Sequence, residues 1–350
     1  MKKKIEYIFL SNGYKGGNIT FLEDHIEYLA KLKKKIILID DNPGITYEKI
    51  PESVQVKKIK TNKFNFESKK KLSSVFFKGK EKKVLFISNF AFLIKYYSLI
   101  RQFKKKNYKL ILTIHSGILN LSIKTYIAGL VFSFLYENTD YLFFGSYSAK
   151  NWWLKKYPWM KINNCLVHYN GVKINPKQKI KNIGSKINIA FAGRLEKENN
   201  PELFIKIAEK YIKYKKEAIF HIFGDGSLFN YLKKNKNKKR IVFHGWTKKN
   251  KIYKLSDIIL ITSPVNNFPY VALEAKSFGI PVITCSKGDV NKIIKNGVDG
   301  FVKYTNSINI IIKLINKVES KYKFFSKNSL KRSENFEKIN LCKKFWKSIK

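Results

Sequence analysis

The sequence predicts an α/β protein built from two doubly wound domains in tandem, and three observations predict it. Short apolar runs alternate with longer amphipathic segments along most of the chain, the succession expected of parallel strands covered by helices on both faces. A length of 350 residues exceeds a comfortable single core. The composition, 44% hydrophobic and 15% aromatic, supplies material for two packed cores and argues against disorder.

In the first half, Ile5–Leu10 reads as a strand, 11–17 as a glycine-containing loop, and 19–33 as a helix with Phe21, Ile26 and Leu29 on one face. Lys35–Asp40 is the next strand, followed by strands at 84–88, 110–115 and Tyr141–Phe144. Residues 51–80 are lysine-rich, weakly patterned and the least readable part. The second half repeats the rhythm more cleanly. A strand at 187–191 runs into Gly193-Arg194, and Asn200-Pro201-Glu202 predicts a helix start: Asn as cap, Pro at the first helical position, an acid in the first turn. Strands follow at Ala218–Phe223, 241–243, 257–262 and 281–285, with a short helix at 252–255 and another at 269–278 that Gly279 and Pro281 stop. The expected organisation is a first domain over 1–170, a second over 171–330 with the hinge near Asn170-Gly171-Val172, and a terminal helix over 331–350 that packs back on the first domain.

A formal charge of +45 invites a nucleic-acid reading. The basic residues are almost all lysine, with Arg101, Arg194, Arg240 and Arg332 the only arginines. Base readout and bidentate phosphate clamping favour arginine, and the lysines are spread over the whole chain, so compositional bias and solvated faces carry most of the charge. No specific nucleic-acid partner is expected. Cys165, Cys285 and Cys342 show no metal or redox spacing, the five histidines form no ligand cluster in sequence, and no metal site is expected. The start Met1-Lys2-Lys3-Lys4 leads into a strand without signal-peptide shape, and the longest apolar stretch, 127–136, is too short to span a bilayer. A reducing, cytoplasmic setting is the expectation.

Open α/β sheets bind ligands beyond the carboxyl ends of their strands. Four second-domain strands end in polar, loop-forming residues: Gly193-Arg194, Gly224-Asp225-Gly226, Gly245-Trp246, and Ser263 through Phe268. Arg194 precedes a capped helix and suits a diphosphate that also meets backbone N–H groups; the alternative is an arginine capping a neighbouring carbonyl. Glu274 stands in a helix that is otherwise apolar or small, as either a structural acid or an acceptor for the two hydroxyls of a ribose.

The stretch Ser263-Pro264-Val265-Asn266-Asn267-Phe268-Pro269-Tyr270-Val271-Ala272-Leu273-Glu274-Ala275, with Gly279-Ile280-Pro281-Val282 after it, resembles the donor-site signature of glycosyltransferase family 4. Gly193-Arg194-Leu195-Glu196-Lys197-Glu198, Ile222-Phe223-Gly224-Asp225-Gly226 and Val242-Phe243-His244-Gly245-Trp246 are similar to that family's other donor-domain landmarks, in the same order. The likeness covers about residues 187–303 well and the first domain loosely. It implies the GT-B fold, two Rossmann-like domains facing a cleft, and a retaining, metal-independent transfer of sugar from a nucleoside-diphosphate sugar, UDP-sugar favoured over GDP-sugar, used as co-substrate without a cofactor. It further implies that Arg194 meets the diphosphate and Glu274 the ribose. Gly245 and Trp246 would flank the base, Gly16 and Gly17 would approach the phosphates, and His115, in Thr113-Ile114-His115-Ser116-Gly117, would lie near the transferred sugar. Gly224, Asn266, Asn267, Phe268 and Pro269 complete the implied donor set.

The departures are specific. The family has two glutamates seven residues apart; Asn266 stands at the first and Asn267 at the place of a glycine. Asn199 replaces the lysine that partners the diphosphate arginine, with Lys197 close by as a substitute. Asparagine bonds hydroxyls but brings no charge. The expected acceptor is a glycan or lipid-linked glycan of a surface polysaccharide or lipopolysaccharide. One segment, Asn151-Trp152-Trp153-Leu154-Lys155-Lys156-Tyr157-Pro158-Trp159-Met160-Lys161, either fills the first core or meets a peripheral anionic membrane surface, on the cytoplasmic face of the inner membrane. A silent nucleotide-sugar-binding relative, an epimerase and a basic nucleic-acid-binding protein are the rival readings.

Overall fold

The computed structural model describes residues 5–11, 17–40, 47, 50–60, 66–88, 90–115, 123–160, 165–180, 182–214, 217–234 and 240–349. Two units of α/β construction divide the chain: Met1–Asn170 with Ile339–Lys350, and Gly171–Lys338.

Among the described residues, the first unit holds seven parallel strands: β1 (Ile5–Leu10), β2 (Lys35–Asp40), β3 (Gln55–Lys58), β4 (Lys82–Ile87), β5 (Lys109–Ile114), β6 (Tyr141–Phe144) and β7 (Cys165–Val167), in the order β3-β2-β1-β4-β5-β6-β7. Its helices are α1 (Gly17–Lys31), α2 (Phe66–Phe77), α3 (Phe90–Lys95), α4 (Tyr97–Lys105), α5 (Ile123–Leu135) and α6 (Tyr147–Lys156). The central strands are buried on both faces, so they read as apolar runs rather than alternations; Leu85, Phe86, Leu110 and Leu112 are fully enclosed. Helix α1 stops at Lys31, two residues before the expected end, because Lys33 turns into the left-handed region at φ 54°. The weakly patterned stretch 51–80 contains β3 and α2. Their surfaces are largely polar because β3 lies at the sheet edge and α2 buries only one stripe, Leu72, Val75 and Phe76 among it.

Among the described residues, the second unit holds six parallel strands: β8 (Ile187–Ala192), β9 (Ala218–Phe223), β10 (Ile241–Gly245), β11 (Ile258–Ile261), β12 (Val282–Thr284) and β13 (Gly300–Val302), in the order β10-β9-β8-β11-β12-β13. Its helices are α7 (Pro201–Tyr214), α8 (Phe229–Lys234), α9 (Lys249–Leu255), α10 (Tyr270–Ser277), α11 (Val290–Ile293), α12 (Ile308–Ser320) and α13 (Tyr322–Ser333). Pro201 does begin α7, with Glu202 in its first turn. The preceding Asn200 differs from an ordinary cap: its backbone is left-handed at φ 49°, closing a 3-10 turn, while its Oδ1 still accepts a long 3.4 Å bond from the Leu203 N–H.

The last helix, α14 (Lys338–Ser348), sends Phe345 and Trp346 into the first unit's aromatic layer, where they meet Phe86, His25, Phe143 and Phe9. Cys342 on the same helix is buried against the carbonyl of Asp24. Of the tryptophan segment, Trp153 and Tyr157 are core residues against Phe132 and Phe90, which answers half of the open question for that segment; Trp159 is exposed.

Candidate functional site

The second sheet is parallel throughout, so β8, β9, β10 and β11 all deliver their following loops to one edge. Those loops are laced together by main-chain bonds that continue beyond the sheet. The Gly193 N–H donates to the Phe223 carbonyl at 3.0 Å, Leu195 to Asp225 at 2.9 Å, and Gly224 to Gly245 at 2.8 Å. Such closeness requires glycine. At Gly224, φ is 131° and a Cβ would run into the Gly193 carbonyl; at Gly226 it would meet the Leu195 carbonyl oxygen at 2.7 Å. The end of β10 carries a bulge between Phe243 and Gly245, which turns the His244 ring onto His221 (Nε2 to Nδ1, 2.9 Å) while Gly245 keeps its pairing with Phe223. Trp246 follows this bulge with its side chain 67% exposed, an aromatic surface at the same edge.

Arg194 is exposed and its guanidinium is held by Glu198 at 2.5 Å. Its loop is pinned twice. Glu196 accepts from the Ser227 N–H (2.9 Å) and hydroxyl (2.6 Å), bonds that hold this carboxyl below its ordinary range. Asn199 donates from its amide to the Arg194 carbonyl at 2.8 Å, and its own carbonyl accepts from Thr262 Oγ1 at 3.1 Å. Asn199 is therefore a latch between the β8 and β11 loops. Lys197, two residues before it, is exposed.

The Ser263–Phe268 segment is seated on residues 286–288. Asn266 N–H donates to the Lys287 carbonyl (2.8 Å), Lys287 N–H to the Pro264 carbonyl (2.9 Å), and Gly288, at φ 110°, leaves room that a side chain would take from the Asn266 carbonyl at 2.5 Å. The Asn266 amide nitrogen donates to Ser263 Oγ at 2.9 Å. Phe268 is buried against Phe336, so what it can offer a ligand is backbone rather than ring; Asn267 and Pro269 beside it are half-buried, and Pro269 caps α10.

Glu274, one turn into α10, is half-enclosed, and sequence reasoning missed its partners. Lys249 Nζ reaches Oε1 at 2.5 Å and the buried Tyr253 hydroxyl donates to Oε2 at 2.7 Å. Burial and the adjacent carboxylate push the Tyr253 phenol well up, so it stays a donor. Both partners lie four residues apart on α9, on one face, a spacing that pattern reading can find only once α9 is known to start at Lys249 rather than 252.

In the first unit, Gly17 opens α1 and is exposed, while Gly16 lies outside the described residues. His115 follows β5 and packs on Phe21 at 4.5 Å, its Nε2 enclosed without a hydrogen-bond partner among the described residues. Two further histidines share its surroundings: His25 and His168 lie 5.5 Å apart amid Phe21, Phe345 and Phe86. Burial lowers the pKa of all three, to about 4 for His115 and about 3 for His168, so each is neutral at pH 7. Among the described residues, no group of three or more His, Cys, Asp or Glu side chains is arranged to hold a metal.

With this geometry in place, comparison with known proteins bears on the second unit. Residues 173–338 match the family model described as Glycosyl transferases group 1. The matched span contains every second-unit residue described above. A curated relative, the UDP-Gal:alpha-D-GlcNAc-diphosphoundecaprenol alpha-1,3-galactosyltransferase of Escherichia coli, is 34% identical over 153 residues, 41% of this chain and 39% of the relative. The chain thus matches about two fifths of that relative's length. Among solved structures, Anabaena Alr3699/HepE in complex with UDP-glucose superposes with a TM-score of 0.80 at 16% identity, covering 98% of this chain and 99% of that one. The lipopolysaccharide outer core galactosyltransferase WaaB superposes at 0.70 with 20% identity and 99% coverage of both chains. The fold is GT-B.

Proposed function

We propose that the protein transfers a sugar from a nucleoside-diphosphate sugar to a glycan or lipid-linked glycan in the assembly of a cell-surface polysaccharide. The observation that carries this is the laced edge of the second sheet, where three strand-end loops present Arg194, Trp246 and Asn266 and α10 presents Glu274, within the residues that match the glycosyl transferases group 1.

Arg194 meets the diphosphate. Its present partner, Glu198, makes an exposed i,i+4 pair with it, worth about 0.5 kcal/mol or less, so a diphosphate with one negative charge on each phosphate displaces it readily. Lys197 is the second cation, because Asn199 is committed to holding the loop. The fixed charge then stabilises the leaving nucleoside diphosphate as the bond to the sugar breaks. Glu274 accepts the ribose hydroxyls on the lone pairs that Lys249 and Tyr253 leave over, and those two residues set its direction. Trp246 lies against the base. Asn266, its amide nitrogen held by Ser263, offers its oxygen to a sugar hydroxyl. For His115 the family resemblance implies contact with the transferred sugar; a neutral imidazole there serves as a hydrogen-bond partner and brings no charge.

The reaction retains configuration. The acceptor oxygen bonds to the anomeric carbon on the face the diphosphate leaves, the carbon–oxygen bond to the diphosphate breaks, and the acceptor proton passes to the departing phosphate oxygen. Arginine, lysine and helix N-termini neutralise the diphosphate without a metal. A UDP-sugar is favoured because the E. coli relative is named for UDP-Gal and the HepE structure holds UDP-glucose. A second reading, binding without turnover, is favoured by the uncharged Asn199 and Asn266.

Incubation with UDP-galactose, UDP-glucose and their N-acetyl analogues, with a polyprenyl-diphosphate-linked GlcNAc acceptor and with chelator present, separates these readings. Transfer with an α-linked product, read from the anomeric proton coupling, is expected. A β-linked product contradicts retention, loss of transfer in chelator contradicts metal independence, and nucleotide binding without product supports the silent relative.

A further inference from the structure

We infer that the outer face of α5, with Trp159, is a docking surface for an anionic lipid bilayer. An ordinary surface helix is apolar on the side that faces the core and polar on the other. Helix α5, Ile-Lys-Thr-Tyr-Ile-Ala-Gly-Leu-Val-Phe-Ser-Phe-Leu, is apolar on both. Its inner side enters the core through Phe132, fully enclosed between Phe90 and Trp153. Its outer side presents Ile127, Val131 and Phe134, at the i, i+4, i+7 positions of one stripe, with Ile127 53% and Phe134 62% exposed. Trp159 extends the stripe. Its ring stacks on Phe134 at 5.3 Å and 13°, is 47% exposed, and is fixed by its indole N–H donating to Ser133 Oγ at 3.0 Å. A rigid, contiguous apolar surface of this kind marks an interaction site rather than scattered exposure.

The choice of occupant follows from charge. Exposed Lys155 and Lys156 close the neighbouring helix α6, and Lys156 Nζ lies 4.8 Å from the Tyr126 ring at the edge of the stripe. Helix α5 carries no acid. A second copy of the chain would bring another formal charge of +45 against the first, which opposes self-association through this face. An anionic membrane takes both halves of the surface: rings and aliphatic side chains enter the acyl boundary while the ammonium groups stay at the headgroups. Among the described residues no helix is long and apolar enough to cross a membrane, and thirteen residues of helix reach only about 20 Å, so α5 lies along the surface. The inference stands independently of the donor site.

A chain this basic adheres to acidic vesicles by charge alone, so the test must separate insertion from adhesion. The full chain is floated with phosphatidylcholine vesicles containing phosphatidylglycerol, at low salt and at about 1 M salt, where charges are screened beyond about 3 Å. Brominated lipids are used to quench tryptophan. The expected results are binding that persists in part at high salt, quenching that largely disappears in Trp159→Phe, and at least about tenfold weaker high-salt binding in Ile127→Gln/Phe134→Gln. Because these side chains are exposed, the double variant keeps the melting temperature of the parent. Equal binding by parent and variant at every salt concentration, or no quenching, overturns the inference. A concentration-dependent dimer in sedimentation that the same variant dissociates overturns it in favour of a second copy.

Discussion

Each unit buries one carboxylate between two cations, and the two arrangements are built differently. In the first unit Glu6 of β1 stands in register with Lys35 of β2 on one side and Lys83 of β4 on the other, and it pairs with both. The Lys83 side chain is fully buried. This row crosses three strands at their amino ends, opposite the edge where an open sheet binds ligands. In the second unit Asp299 takes Lys276 of α10 at 2.8 Å and Arg332 of α13 at 2.6 Å, and its other oxygen accepts from the Lys295 N–H at 2.8 Å. Lys276 is fully buried, and desolvation lowers its pKa against the opposing pull of Asp299. It lies two residues beyond Glu274. The first triplet therefore fixes strand register, whereas the second fixes the helix that carries the proposed ribose ligand.

Replacing either carboxylate should sharpen that contrast, because removing one partner of a buried pair leaves an uncompensated charge and costs about 3–5 kcal/mol. Asp299→Asn should lose stability on this scale in denaturant titration and also weaken nucleotide binding in whatever remains folded. Glu6→Gln should lose comparable stability with nucleotide affinity unchanged. Equal loss of affinity in both would break the distinction. Next in size is Gly224→Ala, which adds a side chain at φ 131° against the Gly193 carbonyl; a loss of about 3 kcal/mol is expected, with disrupted nucleotide binding.

The buried histidines of the first unit should make it answer to acid. His115 and His168 stay neutral down to about pH 4 and pH 3 in the folded protein but take up protons near the ordinary histidine value once unfolded. The unfolded state thus binds more protons below about pH 6.5, and stability falls as pH drops from there toward the folded values. The slope is about 1.4 kcal/mol per pH unit for each histidine. Denaturation midpoints measured between pH 7 and pH 5 check this, and replacing His168 with glutamine should flatten the curve. The smallest effect concerns Tyr253→Phe, which removes one hydrogen bond to Glu274. Calorimetry should show a stability change of about 1 kcal/mol and nucleotide affinity reduced by about tenfold or less.

Legibility in the sequence follows the same division. Five of the second unit's six described strands are readable to within two residues because each is a short β-branched or aromatic run, whereas β13, three residues that begin in glycine, is not. The unit's motif loops are readable in part because Gly224 and Gly226 occupy positions where close backbone approach leaves little freedom of residue choice, and Gly245 takes a left-handed φ of 65°. In the first unit β3 and α2 escape, since an edge strand such as Gln55–Lys58 and a helix with three successive lysines, Lys69 to Lys71, show little apolar pattern. Long-range pairings were not legible anywhere. Nothing in local sequence joins Glu6 to Lys83, Lys276 to Asp299, or the three buried histidines to one another, because each meeting is made by sheet order or helix packing. The doubly apolar α5 was visible only as the stretch 127–136; which of its side chains face outward depends on the core that α6 and α3 supply.

The proposed transfer requires the laced edge of the second sheet to bind a nucleoside diphosphate through Arg194 and Glu274. Calorimetric titration of the full chain with UDP and GDP, beside Arg194→Ala and Glu274→Ala, tests it most directly. Saturable binding is expected, tighter for UDP, that each substitution weakens by at least about tenfold, with the melting temperature of Arg194→Ala held within the range of surface substitutions and that of Glu274→Ala lowered by the loss of its Lys249 and Tyr253 bonds. Binding that survives both substitutions unchanged, or no binding by the parent protein, would contradict it.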